Sequence, residues 1–312
     1  MHELLILSRH ADEYRRLIDA AGLSGVRVIA ASDPLQLPAG ASRCDIVLGE
    51  PSLIRTALPA LTGARWVQST WAGIEPLLDA SLRRDYVLTN ARMVFGPLMS
   101  EYVFGYMFAL ERRMFEKRAA QAERRWDQTP PGTLRGKRIG LLGVGSIGRA
   151  LAATARHFGM RVNGYTRSSD GCRDVDAYYH GDALHAFARE LDYLVCIVPD
   201  TARTRHLVDA ALLRALPPRA VVINPGRGSV VDEAALADAL QEGRIAGAVL
   251  DVFQQEPLPA DHVLWRTPNV IITSHTAALS APPDIAPIFV ANYRRFAAGL
   301  PLEHRVDFEL GY

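Results

Sequence analysis

Short apolar runs alternate with amphipathic stretches along almost the whole chain. Leu4, Leu5, Ile6 and Leu7 form one such run, closed by Ser8, and predict a buried strand at 4–7. A helical pattern follows at 11–21, and further strands are predicted at 26–31, 45–48 and 65–68. Strands separated by helical patterns of about 10–15 residues imply right-handed crossovers and a parallel sheet. The Pro130-Pro131-Gly132 turn is the clearest local break, and a strand at 138–142 follows it. Before that break the pattern predicts one long helix, 97–124, with Pro97 at its first position. Val103, Met107, Leu110 and Met114 make a single apolar stripe, and Phe104 and Phe108 widen it beyond one core face. The surplus predicts that this helix also packs against a second copy of the chain, giving a homodimer. No internal repeat or low-complexity segment interrupts the pattern.

Length and charge narrow what such an alternating chain can be. At about 150 residues per domain, 312 residues predict two domains. Lys plus Arg number 35 against 34 for Asp plus Glu, a formal charge of +1, which provides no field for a phosphate backbone or an anionic membrane. Nucleic acid and membrane are therefore not expected partners. Cys44, Cys172 and Cys196 are too few and too scattered for a disulfide framework or a zinc site. They read as buried reduced thiols, and no metal is expected. The apolar run at 4–7 is shorter than the core of a signal peptide, and no uncharged apolar stretch approaches the roughly 18 residues that span a bilayer. The expectation is a soluble cytoplasmic protein.

The first chemistry appears after the strand at 138–142. Gly143, Gly145 and Gly148 are spaced G-x-G-x-x-G, and Ser146 and Ile147 open a helical pattern at 146–158. Strand, glycine turn and helix are together the context of a dinucleotide site. One glycine permits the tight turn, the next admits a pyrophosphate close to the backbone, and the third lets helix and strand pack closely. The free N–H groups and dipole of the helix favour the phosphates. The next strand, 160–166, ends in Thr166-Arg167-Ser168, where an acidic residue would bind the ribose 2′-hydroxyl of NAD. Without a carboxylate to repel a 2′-phosphate, and with Arg167 and Ser168 able to donate to one, NADP(H) is expected over NAD(H).

Three further strand ends carry reactive side chains. Residues 221–229 read VVINPGRGS and present Arg227 between Gly226 and Gly228, glycines expected to leave room for a ligand and to allow unusual backbone angles. Arg227 can clamp a carboxylate with two hydrogen bonds. Residues 250–259, LDVFQQEPLP, place Glu256 just beyond a strand, and 270–278, VIITSHTAA, do the same for His275. A carboxylate beside a histidine raises its pKa from about 6.5 toward working pH and makes it a general acid for a carbonyl oxygen.

With these residues in order, the chain resembles the D-2-hydroxyacid dehydrogenase family, most closely its glyoxylate/hydroxypyruvate reductase branch. The likeness runs from about 95 to 278 through GLLGVGSIG, INPGRGSVVDE, LDVFQQEPLP, Leu264-Trp265 and NVIITSHTAA, and fades toward the N-terminus. The resemblance implies that Arg227 binds the carboxylate and keto oxygen of a small 2-keto or 2-hydroxy acid, with His275 as proton donor and Glu256 as its partner. It implies that Asp251 holds the nicotinamide carboxamide, and that in the stretch PDTART Thr204 reaches the pyrophosphate and Pro199 also meets the cofactor. It matches Ser69-Thr70-Trp71-Ala72-Gly73-Ile74 to a substrate loop in which the N–H groups of Ala72 and Gly73 grip the carboxylate. Trp71 at that loop is expected to narrow the pocket toward short side chains. Ser274 stands where the family has proline before the histidine, which lessens the stiffness expected there, and Thr166 stands where it has an acid.

The implied fold is α/β, two Rossmann-like doubly wound parallel-sheet domains with a cleft between them. Residues 1–97 and 281–312, including a helix at 283–299, are expected to form a discontinuous substrate-binding domain, and 98–280 the dinucleotide-binding domain. A dinucleotide-sensing, co-repressor-like protein on the same scaffold is the alternative from another class, but it needs no Arg–Glu–His set. A short-form phosphoglycerate dehydrogenase is the rival within the class, since the sequence stops at Tyr312 without the regulatory domain many of those carry. Formate dehydrogenase chemistry has no need of a proton-donating His–Glu pair.

Overall fold

The computed structural model describes residues 1–312. In chain order the elements are β1 (His2–Leu7), α1 (Ala11–Ala20), β2 (Val26–Ala31), β3 (Ile46–Gly49), α2 (Pro51–Ala57), β4 (Trp66–Ser69) and β5 (Val87–Thr89). Next come α3 (Gly96–Glu111), α4 (Met114–Ala122), β6 (Arg138–Leu142), α5 (Ser146–His157), β7 (Arg161–Tyr165), β8 (Ala177–Tyr179), α6 (Leu184–Ala188) and β9 (Tyr193–Cys196). The last are α7 (Ala210–Ala215), β10 (Val221–Asn224), α8 (Glu233–Gln241), β11 (Gly247–Leu250), β12 (Val270–Ile272) and α9 (Pro282–Ala297). The chain divides into two compact units, Met1–Val94 with Ser280–Tyr312, and Phe95–Leu279. No helix is long and apolar enough to cross a membrane. All three cysteines are free and buried.

The first unit is built on a five-stranded sheet ordered β2-β1-β3-β4-β5, every neighbouring pair parallel. Leu4 to Leu7 of β1 are wholly buried because helices cover both faces, which is why that strand is apolar at every position rather than at alternate ones. Leu5, Leu7, Val47, Val67 and Leu88 share one core layer. On the other face α9 returns to the sheet, with the Phe289 ring stacked on Trp66 at 5.1 Å. Trp66 Nε1–H donates to Thr89 Oγ1 at 2.8 Å, and the Thr89 hydroxyl donates to Gln68 Oε1 at 2.8 Å. Asn292 of α9 donates to the same Gln68 oxygen at 3.3 Å. This buried polar chain seats the C-terminal helix on the N-terminal sheet.

The second unit carries a seven-stranded parallel sheet, β12-β11-β10-β9-β6-β7-β8. Strand order reverses at β6, so the loop after β6 opens at the switch point where doubly wound sheets bind ligands. Val103 and Met107 of α3 and Leu151 and Ala155 of α5 pack with Val162 in one layer. Phe187, Leu212 and Leu236, from α6, α7 and α8, fill the other. The two parallel sheets with flanking helices bear out the parallel sheet that the pattern predicts and the α/β, doubly wound architecture that the resemblance implies.

Two local expectations fail. The single helix 97–124 is two helices, α3 and α4, broken at Arg113 with φ 54°. Glu111 is pulled toward the sheet by Lys137 Nζ at 2.6 Å and by the Tyr193 hydroxyl, which donates to it at 2.5 Å. Met114, the last residue of the expected stripe, is consequently 51% exposed. The strands Val87–Thr89, Ala177–Tyr179 and Tyr193–Cys196 were not expected; the first two are only three residues long, and Ala177–Tyr179 is partly exposed, so neither shows a sustained apolar run.

Candidate active site

The loop after β6 has the shape its glycines predict. Gly143 sits at φ 103°, the left-handed region open to glycine. A methyl at Gly148 would stand 2.4 Å from the Gly143 carbonyl oxygen, so the third glycine is required by contact between helix and strand. At Gly145 a methyl would meet nothing within 4 Å. The first main-chain bond of α5 runs from Arg149 N–H to the Gly145 carbonyl at 3.0 Å, so the N–H groups of Ser146, Ile147 and Gly148 lie at the open end of the helix. Open space over Gly145 at a helix N-terminus is a cradle that fits a pyrophosphate.

Strand β7 leads to Thr166, which is buried at 7% exposure. Its hydroxyl donates to the Ser169 carbonyl at 2.5 Å and lies 3.1 Å from His180 Nδ1. Those contacts fold residues 166–169 into a turn that leaves Arg167 and Ser168 exposed at its tip. His180, which also approaches the Thr166 carbonyl at 3.0 Å, was not singled out from the sequence. It follows the short unpredicted strand β8, so no pattern marked it. The Thr204 hydroxyl donates to the Pro199 carbonyl at 2.6 Å and closes its own loop.

Arg227 follows β10, and its Nη1 donates to the Gly226 carbonyl at 2.7 Å. The glycines beside it act differently from expectation. Neither has positive φ; a methyl at Gly226 would stand 2.6 Å from the Cys196 carbonyl oxygen, and one at Gly228 2.0 Å from the Phe253 backbone. They admit neighbouring main chain rather than a ligand. The close approach at Gly228 seats the 253–256 loop beside Arg227.

That loop brings Glu256 to His275. His275 Nδ1 lies 2.7 Å from Glu256 Oε2, while Glu256 Oε1 accepts the Phe253 N–H at 2.9 Å. Nδ1 therefore carries its proton toward the carboxylate, and Nε2 is the ring nitrogen left to face a ligand. The hydrogen bond to Glu256 is the largest influence holding His275 above the ordinary histidine pKa, against partial burial and the charge of Arg227. Partial burial works against the charge on Glu256, yet the hydrogen bonds from His275 and Phe253 outweigh it and hold Glu256 below the usual carboxylate range. Glu233, missed in the sequence, steadies the same loop by accepting the Gln254 N–H at 2.8 Å, and His262 lies 3.3 Å from its other oxygen.

His275 occupies φ 57°, which costs a non-glycine residue about 1–2 kcal/mol and must be held by its surroundings. Asp251, 1% exposed at the end of β11, does the holding. Its carbonyl accepts the His275 N–H at 2.7 Å. Its carboxylate accepts the N–H groups of Thr276 at 2.9 Å and Ala277 at 2.8 Å, and the Thr273 hydroxyl at 2.5 Å.

The remaining expected residues lie in the first unit. The Trp71 N–H donates to Ser69 Oγ at 3.0 Å, and the Ala72 carbonyl accepts from Asn90 at 2.8 Å. Trp71 is 37% exposed and is not a core aromatic; Ala72 and Gly73 beside it are half-buried.

Comparison with known proteins agrees with this geometry. Residues 104–277 match the family model described as D-isomer specific 2-hydroxyacid dehydrogenase, NAD binding domain. The chain is 33% identical over 236 residues to glyoxylate/hydroxypyruvate reductase A of Salmonella newport, covering 76% of this chain and 75% of that protein. A D-isomer specific 2-hydroxyacid dehydrogenase family protein of Aeromonas salmonicida superposes with a TM-score of 0.94 at 43% identity, covering 98% of this chain and 99% of that one. A D-isomer specific 2-hydroxyacid dehydrogenase of Xanthobacter autotrophicus, solved with NADPH and MES, superposes at 0.91 with 31% identity over 100% of this chain and 99% of that one.

Proposed function

Because the chain belongs to the D-isomer specific 2-hydroxyacid dehydrogenase family, we propose that it reduces a small 2-keto acid of the glyoxylate or hydroxypyruvate kind to the D-2-hydroxy acid, using NADPH. The nicotinamide cofactor, when bound, supplies the hydride. The observation that carries the reading is the His275–Glu256 pair at 2.7 Å. His275 holds a proton on Nε2 for the keto oxygen; Glu256 keeps it there by stabilising the imidazolium. Arg227 binds the substrate carboxylate and polarises the keto group.

In this reading Phe95–Leu279 is the dinucleotide-binding domain, and Met1–Val94 with Ser280–Tyr312 is the substrate-binding domain. The N–H groups of Ala72 and Gly73 grip the substrate carboxylate, and Trp71 limits the side chain beyond it. Gly143, Gly145, Ser146, Ile147 and Gly148 receive the pyrophosphate, with Pro199 and Thr204 in the facing loop. Asp251 has three donors on its carboxylate and keeps room for one more, the nicotinamide carboxamide. Arg167 and Ser168, exposed at the tip of a turn without a carboxylate, favour NADP(H) over NAD(H). The buried free cysteines fit a reducing compartment, the cytoplasm. Met114, Phe115 and Trp126, exposed at 51%, 49% and 87%, fit a homodimer formed through α4 and the segment after it. Light scattering on the purified protein tests that pairing.

A dinucleotide sensor would leave the His–Glu pair without a task, and none of these relatives points to one. The deciding experiment follows NADPH and NADH oxidation with glyoxylate, hydroxypyruvate and bulkier 2-keto acids. Turnover of the short acids with NADPH is expected. Tight NADPH binding without turnover of any 2-keto acid would overturn the enzyme reading.

A further inference from the structure

The loop bearing His275 is tied to α3 through a chain of hydroxyls that the reaction does not itself use. The Tyr102 hydroxyl on α3 lies 2.8 Å from Thr273 Oγ1, and Thr273 Oγ1 lies 2.5 Å from Asp251 Oδ1. The direction of both hydrogen bonds follows from chemistry. The Asp251 carboxylate collects two backbone N–H donors as well, the arrangement of an acceptor-only group, so the single hydroxyl proton of Thr273 points to Asp251. Thr273 is then the acceptor toward α3, and Tyr102 is the donor. The chain runs one way, from Tyr102 through Thr273 to Asp251, and each donor polarises the next. Its end point grips the loop on both sides of His275, at Thr273 before it and at Thr276 and Ala277 after it, and through the His275 N–H itself.

We propose that Tyr102 and Thr273 are positioning residues for proton transfer: their hydroxyl chain holds Asp251, and Asp251 holds His275 in the left-handed conformation that aims Nδ1 at Glu256. The proposal rests on the reading of His275 as proton donor. Neither residue touches the reacting atoms in this scheme. Both act through the loop, and Tyr102 gives α3 a part in the chemistry besides its place in the core.

The charged groups that act on His275 come from three elements: Glu256 from the 253–256 loop, Arg227 from beyond β10 and Asp251 from beyond β11. Glu256 and Asp251 favour the imidazolium and Arg227 opposes it. The hydrogen bond to Glu256 is the largest of these effects and the one most sensitive to ring orientation. A loop freed from its hydroxyl chain lets the imidazole turn away, and the His275 midpoint falls toward the ordinary value near ~6.5.

The test is a histidine-ring NMR titration of the cofactor-free protein, with the His275 resonance identified by its loss in His275→Gln. Thr273→Val and Tyr102→Phe are expected to lower the His275 midpoint toward the ordinary histidine value, and Thr273→Ser to keep it where it stands in the parent protein. The basic limb of kcat/KM should move with it in the same direction. Tyr102→Phe keeps the ring that packs in the core, so it reports on the hydroxyl even if the valine variant folds poorly. A His275 midpoint unmoved in both variants would overturn the proposal, as would Thr273→Ser shifting as far as Thr273→Val. An undiminished rate in His275→Gln would instead remove the proton-donor reading, an outcome separate from the titration.

Discussion

Gly145 and Gly148 stand three residues apart in one loop, yet replacing each with alanine should do opposite things. At Gly148 the new methyl would lie 2.4 Å from the Gly143 carbonyl oxygen and 3.2 Å from Ile197 Cδ1. The nearer atom is backbone and cannot rotate away, so α5 must shift off the sheet. Overpacking of this kind costs about 1–3 kcal/mol. At about 2–4 °C per kcal/mol for a unit of this size, Tm should fall by roughly 2–12 °C. At Gly145 the methyl would meet nothing within 4 Å, and the backbone is extended, at φ −81° and ψ −155°, rather than left-handed. Gly145→Ala should then leave the fold intact or stabilise it by about 0.4–1 kcal/mol, through a less free unfolded chain. What it should lose is the ligand, since the methyl occupies the space a pyrophosphate needs. A loss of at least about 1.4 kcal/mol is expected, tenfold or more in Kd. Thermal melts of the cofactor-free variants and calorimetric titration with NADPH separate the two effects. If Gly145→Ala binds NADPH like the parent protein, or melts as low as Gly148→Ala, the cradle is misplaced and the reasoning fails.

Removing the carboxylate in Glu256→Gln takes away the main influence that raises His275. The proton-donating form exists below the His275 pKa and is lost as pH rises through it, so the basic limb of kcat/KM for reduction should move to lower pH; an unmoved limb would contradict the pairing. Arg167→Ala should raise the KM for NADPH by the worth of a charge-assisted hydrogen bond, about 1.5–3 kcal/mol or roughly 10–140-fold, and leave NADH unchanged. Steady-state kinetics with both cofactors check this, and equal effects on the two would argue against a 2′-phosphate contact. Trp71→Ala should raise the kcat/KM ratio of phenylpyruvate to glyoxylate; an unchanged ratio would mean that the indole does not limit the pocket.

The residues of the candidate site were legible because each lies where a local pattern breaks. A parallel strand buried on both faces is apolar throughout, so its C-terminal end shows as the first polar residue after the run. Asn224, Asp251 and Thr273 are the first polar residues after three such apolar runs, and Arg227, Glu256 and His275 follow them in the loops just beyond. The glycine loop was legible for a similar reason: strand, turn and helix are contiguous, and the requirement at Gly148 is set by Gly143, only five positions away. The turn at 166–169 was half legible. The missing acid and the arginine could be read, while His180, 14 positions from Thr166, could not.

The sequence by itself determined the α/β alternation, the strand-end chemistry and the dinucleotide loop, because these depend on neighbours within a few turns of chain. The tertiary structure alone decided that Glu256 faces His275 across 19 positions, and that Asp251 collects the donors of a loop 22 to 26 positions away. It also decided that α3 ends at Glu111, whose carboxylate is drawn to Lys137 and Tyr193, and that Gly226 and Gly228 give way to backbone. Periodicity records which face of an element is buried, not which strand lies beside it. Those partners are set by the order of strands in the sheet, where hydrogen-bonded neighbours such as β6 and β9 are separated by about 50 residues of intervening chain.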